Sequence, residues 1–208
     1  MSDFAGRFVW RELLAADPAT SAGFYGELFG WGSKVQSMGP AGDYTLLLKG
    51  EEMVGGIGQA QGGQPDHWVT YVTVDDVDAT VARARELGGS VCQEPMDIPT
   101  VGRFAVIEDP SGASIAPFKS LTPGASGDEM PADYTFCWSQ LMTTNTADAA
   151  FYETLFGWTS APMPVGDGVV HDHHGGSAGD RQAERGPLPG IDGHVEQGVI
   201  PLPRPVVV

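Results

Sequence analysis

The sequence predicts an α+β fold built from paired β-α-β-β-β units and followed by an incomplete second copy. Three observations indicate this arrangement. Residues 8–31 and 136–158 share their aromatic and aliphatic positions, so one strand-then-helix unit occurs twice. Residues 66–121 repeat the same order of elements in a different sequence. After Trp158 that order is lost, which predicts that the second copy is truncated.

The repeated positions fall into two blocks, an opening strand and a helix. In the strand, Phe8, Trp10 and Leu13 recur as Phe136, Trp138 and Leu141. In the helix, the pattern FY, then LFGW, occupies residues 24–31 and again residues 151–158. Because both blocks recur in the same order, we expect two related domains.

The first unit opens with an apolar, β-leaning run over residues 8–15. Asp17 and Pro18 then supply a helix cap and a proline at the first helical position. Gly30 ends the predicted helix, because glycine readily adopts the left-handed conformation found there. Three strands are predicted after the helix, over residues 34–38, 44–49 and 53–58.

The second unit follows a linker rich in Gly, Gln and Pro. Residues 67–74 alternate as a strand does, and Asp75 or Asp76 caps a helix that Gly88 and Gly89 end. Further strands are predicted over residues 91–96, 103–107 and 114–118. Residues 109–112, with the sequence DPSG, suit a type I turn between the last two.

The predicted organisation is therefore one complete domain and part of another. The complete domain spans residues 1–121, with units at 7–60 and 66–121, and a linker covers residues 122–131. The partial copy spans residues 132–165. We expect residues 166–208 to be irregular and disordered, because they are dense in Gly, Pro, His and charge and show no periodicity. A truncated or frame-shifted gene would explain that tail, and the apolar edge of the partial copy favours either a homodimer or instability.

Charge and cysteine content narrow the partners and the compartment. The formal net charge is −16, with 11 basic and 27 acidic residues, which argues against nucleic acid and anionic membranes. The same charge suits a cationic ligand, although general solubility explains it as well. Cys92 and Cys137 fall in different predicted domains, so we expect no disulfide and a cytoplasmic location.

Three segments together resemble the vicinal oxygen chelate superfamily, which includes glyoxalase I, extradiol dioxygenases and bleomycin-resistance proteins. They are Asp17 with residues 24–31 (FYGELFGW), residues 74–89 (VDDVDATVARARELGG) and residues 108–112 (EDPSG). The tandem arrangement, with tryptophan in the opening strand, is similar to actinobacterial members. The resemblance implies a glyoxalase-like curved mixed sheet.

The resemblance also implies a divalent metal held by four side chains from the central strands. Carried over to this sequence, those positions are Trp10, Gly55 (with Gly56 as the alternative), Val69 and Ala116. None of these side chains can coordinate a metal, so we expect no metal and no cofactor. A register shift of two residues would bring in Glu12 and His67, which is too few ligands for a good site.

The same strand faces are nevertheless expected to line a small-molecule pocket. The predicted ligand-binding residues are Trp10, Glu12, His67, Val69, Tyr71, Ala116 and Phe118. Trp10 and Tyr71 can stack on a flat ring or a cation, and Glu12 can pair with a basic group. Three simpler readings stay open: Trp10 belongs to the core, His67 is solvated, and Glu12 pairs with Arg11 or Arg103.

These residues predict a metal-independent binding protein for a small aromatic or cationic molecule. An alternative is a lyase, hydroxylase or dioxygenase of the same superfamily that uses Glu12 and His67 on a small organic substrate. A third reading is a degenerate protein without a ligand. No catalytic residue is assigned, since no nucleophile elbow or phosphate loop is present.

Overall fold

In a computed structural model of the chain, eight strands form one curved, unclosed mixed sheet. The structure describes residues 5–39, 42–122, 134–136, 139, 141, 143, 145, 147–165 and 168–174. Within residues 160–165 and 168–174 it describes the backbone alone. The sheet with its few helices confirms the predicted α+β, glyoxalase-like fold.

The first unit has the predicted order of elements. It consists of β1 (Phe8–Ala15), α1 (Pro18–Phe29), β2 (Gly32–Ser37), β3 (Asp43–Lys49) and β4 (Glu52–Gln59). The Asp17 carboxylate accepts a hydrogen bond from the Thr20 amide at 3.0 Å, so it caps α1 as expected.

The second unit repeats that order. It consists of β5 (His67–Thr73), α2 (Val77–Glu86), β6 (Ser90–Ile98), β7 (Gly102–Glu108) and β8 (Ser114–Ser120). Asp76, and not Asp75, caps α2 by accepting a hydrogen bond from the Ala79 amide at 3.0 Å.

The strand order in the sheet is β2-β3-β4-β1-β5-β8-β7-β6. The opening strands of the two units, β1 and β5, lie side by side and antiparallel at the centre. Each has the last strand of its own unit as a parallel neighbour, β4 beside β1 and β8 beside β5. The four strands that were expected to carry the site are therefore adjacent.

The helices pack on the sheet and bury two apolar clusters. In the first unit, Ala22 of α1 lies in a cluster with Leu13, Leu47 and Ile57. In the second unit, the cluster combines α2 with a third helix, α3 (Asp148–Phe156). Burial of these side chains contributes roughly 1.5–3 kcal/mol each, so both clusters hold their helices firmly.

The C-terminal part of the chain is more ordered than the sequence predicts. After α3, β9 (Thr159–Val165) and β10 (Gly168–His174) form an antiparallel hairpin. The expectation of irregular structure from residue 166 was therefore wrong for Gly168–His174. Pairing with β9 supplies the backbone hydrogen bonds that the local sequence pattern does not indicate.

Other predictions for this region fall outside what is described. Residues 175–208, most of the linker, Cys137 and Trp138 are not among the described residues. The domain boundaries and the truncated second copy stay predictions. Among the described residues, no helix has the length and apolar character needed to cross a membrane.

Candidate binding cleft

A cavity of about 1870 Å³ lies against the sheet and is lined by both units. Five of the seven predicted ligand-binding residues line it: Trp10, Glu12, His67, Tyr71 and Phe118. They come from β1, β5 and β8, so the central strands do converge on one cavity.

The other two predicted residues, Val69 and Ala116, do not line the cavity. Both are 0 % exposed and pack in an apolar cluster with Tyr71. The alternation of strand residues therefore identifies the face that the cavity lies against, but larger neighbours cover these two small side chains. Val69 and Ala116 therefore lie beneath the floor of the cleft.

A hydrogen-bonded network of four side chains occupies the floor of the cleft. The Tyr71 hydroxyl donates to Glu12 Oε2 at 2.5 Å. The Tyr44 hydroxyl also donates to the Glu12 carboxylate and accepts a hydrogen bond from Trp10 Nε1 at 2.9 Å. Glu12 is therefore held by two phenols, one from each unit.

Strand register brings three of these residues together. Trp10 and Glu12 are two apart on β1, so their side chains share a face. Trp10 pairs with Tyr71 across the β1–β5 ladder, which places the Tyr71 ring diagonally beside Glu12.

Tyr44 reaches the network from a strand that is not adjacent to β1. It lies on β3, and β4 separates the two strands. On β4, Gly56 stands opposite Glu12. A Cβ atom on Gly56 would lie 2.1 Å from the Tyr44 hydroxyl oxygen, so the glycine leaves the space that this ring occupies.

Burial dominates the electrostatics of the network. Desolvation raises the pKa of the Glu12 carboxyl above its ordinary value, and the hydrogen bonds from Tyr71 and Tyr44 oppose that rise in part. Burial and the nearby Glu12 carboxylate raise the pKa of both tyrosines. Both phenols are therefore protonated donors at neutral pH, and Glu12 titrates closer to neutrality than an exposed carboxyl.

Among the described residues, Glu12 forms no ion pair with Arg11 or Arg103, the alternative that the sequence left open. Arg103 is held by Asp78, at 2.8 Å from its Nε, and by Asp97 at 3.0 Å. Arg11 donates to Ser139 Oγ at 2.9 Å, and burial lowers the pKa of its guanidinium to about 10. Both arginines are committed elsewhere, so among the described residues tyrosines, and not arginines, compensate the Glu12 carboxylate.

His67 lies at the edge of the same cavity. Its Nδ1 donates to the Pro65 carbonyl oxygen at 2.8 Å, which leaves Nε2 as the other ring nitrogen for a ligand or proton. Its positive form would lower the pKa of Glu12. His67 is half-buried, so it is not a fully solvated histidine, which was one of the readings left open by the sequence.

The rest of the lining is apolar and acidic. Exposed apolar side chains project from both ends of the sheet: Val35, Met38, Met53, Met96 and Val101. Methionine adapts its shape to flat or irregular ligands. The described lining carries four carboxylates, Glu12, Asp17, Asp43 and Asp75, against one ammonium, Lys119.

The cleft does not fit the divalent metal that the resemblance implies. Trp10, Gly55, Val69 and Ala116 offer no ligand atom at the four implied positions. Of the metal-ligating types, Glu12 and His67 are the residues near the network, and the described residues contain no group of three or more His, Cys, Asp or Glu able to hold a metal. The residues that line the described cleft therefore do not fit a divalent metal.

Tyr44 is the residue of this network that sequence reasoning missed. It lies in a strand on which no family position was expected. The available signal was Gly56, since a glycine inside a strand often marks the close approach of another group.

A comparison with known protein families identifies the superfamily to which the chain belongs. The sequence profile of the Glyoxalase/Bleomycin resistance protein/Dioxygenase superfamily matches residues 7–116. The chain belongs to this superfamily, as the resemblance predicts.

Relatives by sequence include proteins from actinobacteria. The chain is 41 % identical over 115 residues to CFP32 of Mycobacterium tuberculosis (strain CDC 1551 / Oshkosh), whose name marks it as a proposed glyoxylase. That match covers 55 % of this chain and 44 % of CFP32, so it spans less than half of the relative. The anthracycline biosynthesis protein DauV of Streptomyces sp. (strain C5) is 34 % identical over 203 residues, which covers 88 % of this chain and 73 % of DauV.

Solved structures support the fold alone. The Mn(II)-bound glyoxalase from Novosphingobium aromaticivorans superposes with a TM-score of 0.52 at 17 % identity, over 76 % of this chain and 54 % of the other. For the 2,2',3-trihydroxybiphenyl 1,2-dioxygenase from Sphingomonas wittichii strain RW1, the TM-score is 0.55 at 11 % identity, over 82 % and 63 % of the two chains.

Proposed function

We propose that this protein binds a planar aromatic molecule that carries a protonated amine, and does so without a metal. The observation that carries the proposal is Glu12: a half-buried, desolvated carboxylate at the floor of a large cleft, held by two tyrosine hydroxyls and by no arginine of the described chain. The chain would act by sequestering or presenting this ligand.

The shape and lining of the cleft support the aromatic part of the ligand. Its volume exceeds the roughly 300–1,000 Å³ typical of drug-sized sites, so a polycyclic ring system fits. Trp10, Tyr71 and Phe118 offer ring faces and edges, and Met38, Met53 and Met96 offer adaptable apolar contacts.

The charge distribution supports the amine. A desolvated carboxylate that is not in contact with a cationic side chain is costly, and a ligand ammonium would relieve that cost. The lining also contains more carboxylates than ammonium groups, and this negative charge attracts a cationic ligand as well.

The relatives suggest a chemical class. DauV and DnrV, the latter from Streptomyces peucetius and 34 % identical over 179 residues, are named as anthracycline biosynthesis proteins. Anthracyclines combine a planar polycyclic chromophore with an amino sugar that is protonated at neutral pH. This combination matches the aromatic lining and the Glu12 carboxylate.

Titration with the anthracycline daunorubicin tests the proposal, with its sugar-free neutral aglycone as the matched ligand. Isothermal titration calorimetry of the full chain should give stronger binding for daunorubicin. Glu12→Gln should weaken daunorubicin about 10-fold to 100-fold, as expected for loss of a charged hydrogen bond, and leave the aglycone within about 2-fold. Equal weakening of both ligands would contradict the role of charge, and binding of neither would refute the proposed ligand class.

A second candidate is a lyase that transfers a proton through Glu12. The raised pKa of Glu12 favours it, because a carboxyl that titrates nearer neutrality exchanges protons efficiently with a substrate. In that case Glu12→Gln should abolish turnover of a neutral substrate while its binding is retained. A variant that keeps its turnover would exclude this candidate.

A further inference from the structure

The two units place corresponding residues on the floor of the cleft. On β1, Glu12 stands opposite Gly56 of its parallel neighbour β4. On β5, Tyr71 stands opposite Ala116 of its parallel neighbour β8. Glu12 therefore corresponds to Tyr71, and the two strand pairs divide the floor into two halves. The first-unit half is formed by β1, β3 and β4, and the second-unit half by β5, β7 and β8.

The strands next to these pairs extend the correspondence. Two residues beyond Ala116 on β8 lies Phe118, which pairs with Phe104 of β7. The same step on β4 leads to Gly58, and the ladder between β3 and β4, continued by one residue, places Tyr44 opposite it. Phe104 of the second unit therefore corresponds to Tyr44 of the first. In the same way, Phe118 corresponds to Gly58.

In the second-unit half, the floor is an aromatic cluster. The Tyr71 ring centroid lies 5.8 Å from that of Phe104 and 6.1 Å from that of Phe118, the latter in an edge-to-face arrangement. Phe104 and Phe118 are half-buried and both line the cavity, so part of each ring is open to a ligand. Ring faces and edges of this kind favour a planar aromatic group.

In the first-unit half, polar groups stand where the second unit has rings. A Cβ atom on Gly58 would lie 3.0 Å from Glu12 Oε1, so this glycine leaves room for the carboxylate. Tyr44 gives its hydroxyl to Glu12, and the corresponding Phe104 has no hydroxyl to give. The first-unit half therefore presents a carboxylate where the second-unit half presents aromatic rings.

The charges of the described lining divide in the same way. The first unit supplies three carboxylates, those of Glu12, Asp17 and Asp43. The second unit supplies one carboxylate and one ammonium, those of Asp75 and Lys119, in addition to a histidine. Both halves have exposed apolar side chains at their rims, so the floor and the charges distinguish the two halves.

We propose that the cleft holds its ligand in one orientation, with the protonated amine against Glu12 in the first-unit half and the planar rings on Phe104 and Phe118 in the second-unit half. This inference rests on the proposed function and adds two specificity-determining residues for the rings. The reverse orientation would cover a desolvated carboxylate with a neutral ring system, which is costly. It would also move the ammonium toward Lys119.

Tyr71 sets the spacing between the two subsites. Its hydroxyl donates to Glu12 Oε2 at 2.5 Å, and its ring belongs to the cluster with Phe104. The subsite for the amine and the subsite for the rings are therefore adjacent. A matching ligand carries its amine close to one end of the ring system, and not on a long flexible chain.

Protection of introduced cysteines from alkylation tests the orientation in the full chain. Gln36 pairs with Tyr44 and Met96 pairs with Phe104, so these two exposed, cavity-lining residues correspond to each other. Gln36→Cys reports on the first-unit half and Met96→Cys on the second-unit half, each in a chain that also carries Cys92→Ser. Both replaced side chains are exposed, so neither change disturbs the core. Peptide mass spectrometry measures the rate of reaction with N-ethylmaleimide at each position.

The sugar-free aglycone of daunorubicin should protect the second-unit half alone. At saturation it should slow alkylation of Met96→Cys by at least about 5-fold and of Gln36→Cys by less than about 2-fold, because alkylation requires access to the thiol. Daunorubicin, which adds the amino sugar, should protect both positions. Equal protection of both positions by the aglycone, or stronger protection of Gln36→Cys, would overturn the orientation and leave the proposed function standing.

Affinities of Phe104→Leu for the same two ligands give a second measurement. This variant should weaken daunorubicin and the aglycone by the same factor, about 3-fold to 10-fold, because both lose one aromatic contact. A loss confined to daunorubicin would place the amine on Phe104 and overturn the orientation. If calorimetry detects binding of neither ligand to the wild type, the proposed function is refuted, and this inference is refuted with it.

Discussion

The Tyr44 hydroxyl lies 2.1 Å from the point where a Cβ atom on Gly56 would stand. This spacing explains how a residue of β3 takes part in a network built on β1 and β5. The tyrosine crosses over β4 at the one position directly opposite Glu12 where no side chain is present. The shape of the cleft floor thus depends on a glycine as much as on the polar residues.

Gly56→Ala should destabilise the fold by about 1–3 kcal/mol, because the added methyl group overlaps the Tyr44 ring. Urea denaturation measures the loss. Gly23→Ala is the matched control: it lies in α1 with no atom within 4 Å of its Cβ position, and it should stabilise by about 0.5–1 kcal/mol.

A double-mutant cycle assigns the effect to Tyr44. In a Tyr44→Ala background the space is empty. Gly56→Ala should therefore lower the free energy of unfolding by less than half as much as it does in the wild type. An unchanged cost would mean that Gly56 serves the strand backbone and does not make room for the ring.

Tyr71→Phe should lower the free energy of unfolding by about 1–3 kcal/mol at neutral pH, because a buried carboxylate loses a donor. The pKa of Glu12 should rise further, since that hydrogen bond lowers it in the wild type. The loss should shrink at acidic pH, where Glu12 is protonated in both proteins. Equal losses at both pH values would show that Tyr71 acts through packing alone.

The raised pKa of Glu12 predicts two opposite pH trends. Its protonated form suits the buried site, so its contribution to folding stability is present below the ordinary value of 4.5 and is lost as pH rises through the raised pKa. Affinity for a cationic ligand should rise over that same interval, because the carboxylate is the form that binds. Thermal denaturation measures the stability trend, and daunorubicin titration measures the affinity trend. Both trends should disappear in Glu12→Gln.

Gly6→Ala should weaken the packing of residues 134–158 on the complete domain. Gly6 has a φ of +82°, and an added Cβ would lie 2.8 Å from Trp158 Nε1. Gly63→Ala is the control for backbone strain, since Gly63 has a φ of +75° and no atom near its Cβ position. Gly6→Ala should lower the free energy of unfolding more than Gly63→Ala does. Equal losses would show that the Trp158 side chain moves aside without an energetic penalty.

The fold was predictable because its signals are local. Asp17 and Pro18 begin a helix, Gly30 ends it, and the turn at residues 109–112 joins two strands, all within short stretches of sequence. The family resemblance implied a curved mixed sheet, but the position of β1 beside β5 was not predicted, since no local pattern specifies which strands pair.

The site was predictable only in part, for reasons of size and distance. Alternation along β1 and β5 identifies Trp10, Glu12 and Tyr71, but it does not reveal that Val69 and Ala116 are too small to reach the cavity. The partner of Glu12 was missed because Tyr44 lies two strands away in the sheet.

One comparison of affinities tests metal-independent binding most directly. Daunorubicin should be titrated into the full chain, purified without a His tag, in excess EDTA and again in saturating Mn²⁺. We expect the same dissociation constant in both solutions, and no stoichiometric metal in the purified protein by plasma mass spectrometry. Binding that appears only with Mn²⁺, or near-stoichiometric metal in the purified chain, would contradict the proposal and place the ligand on a metal.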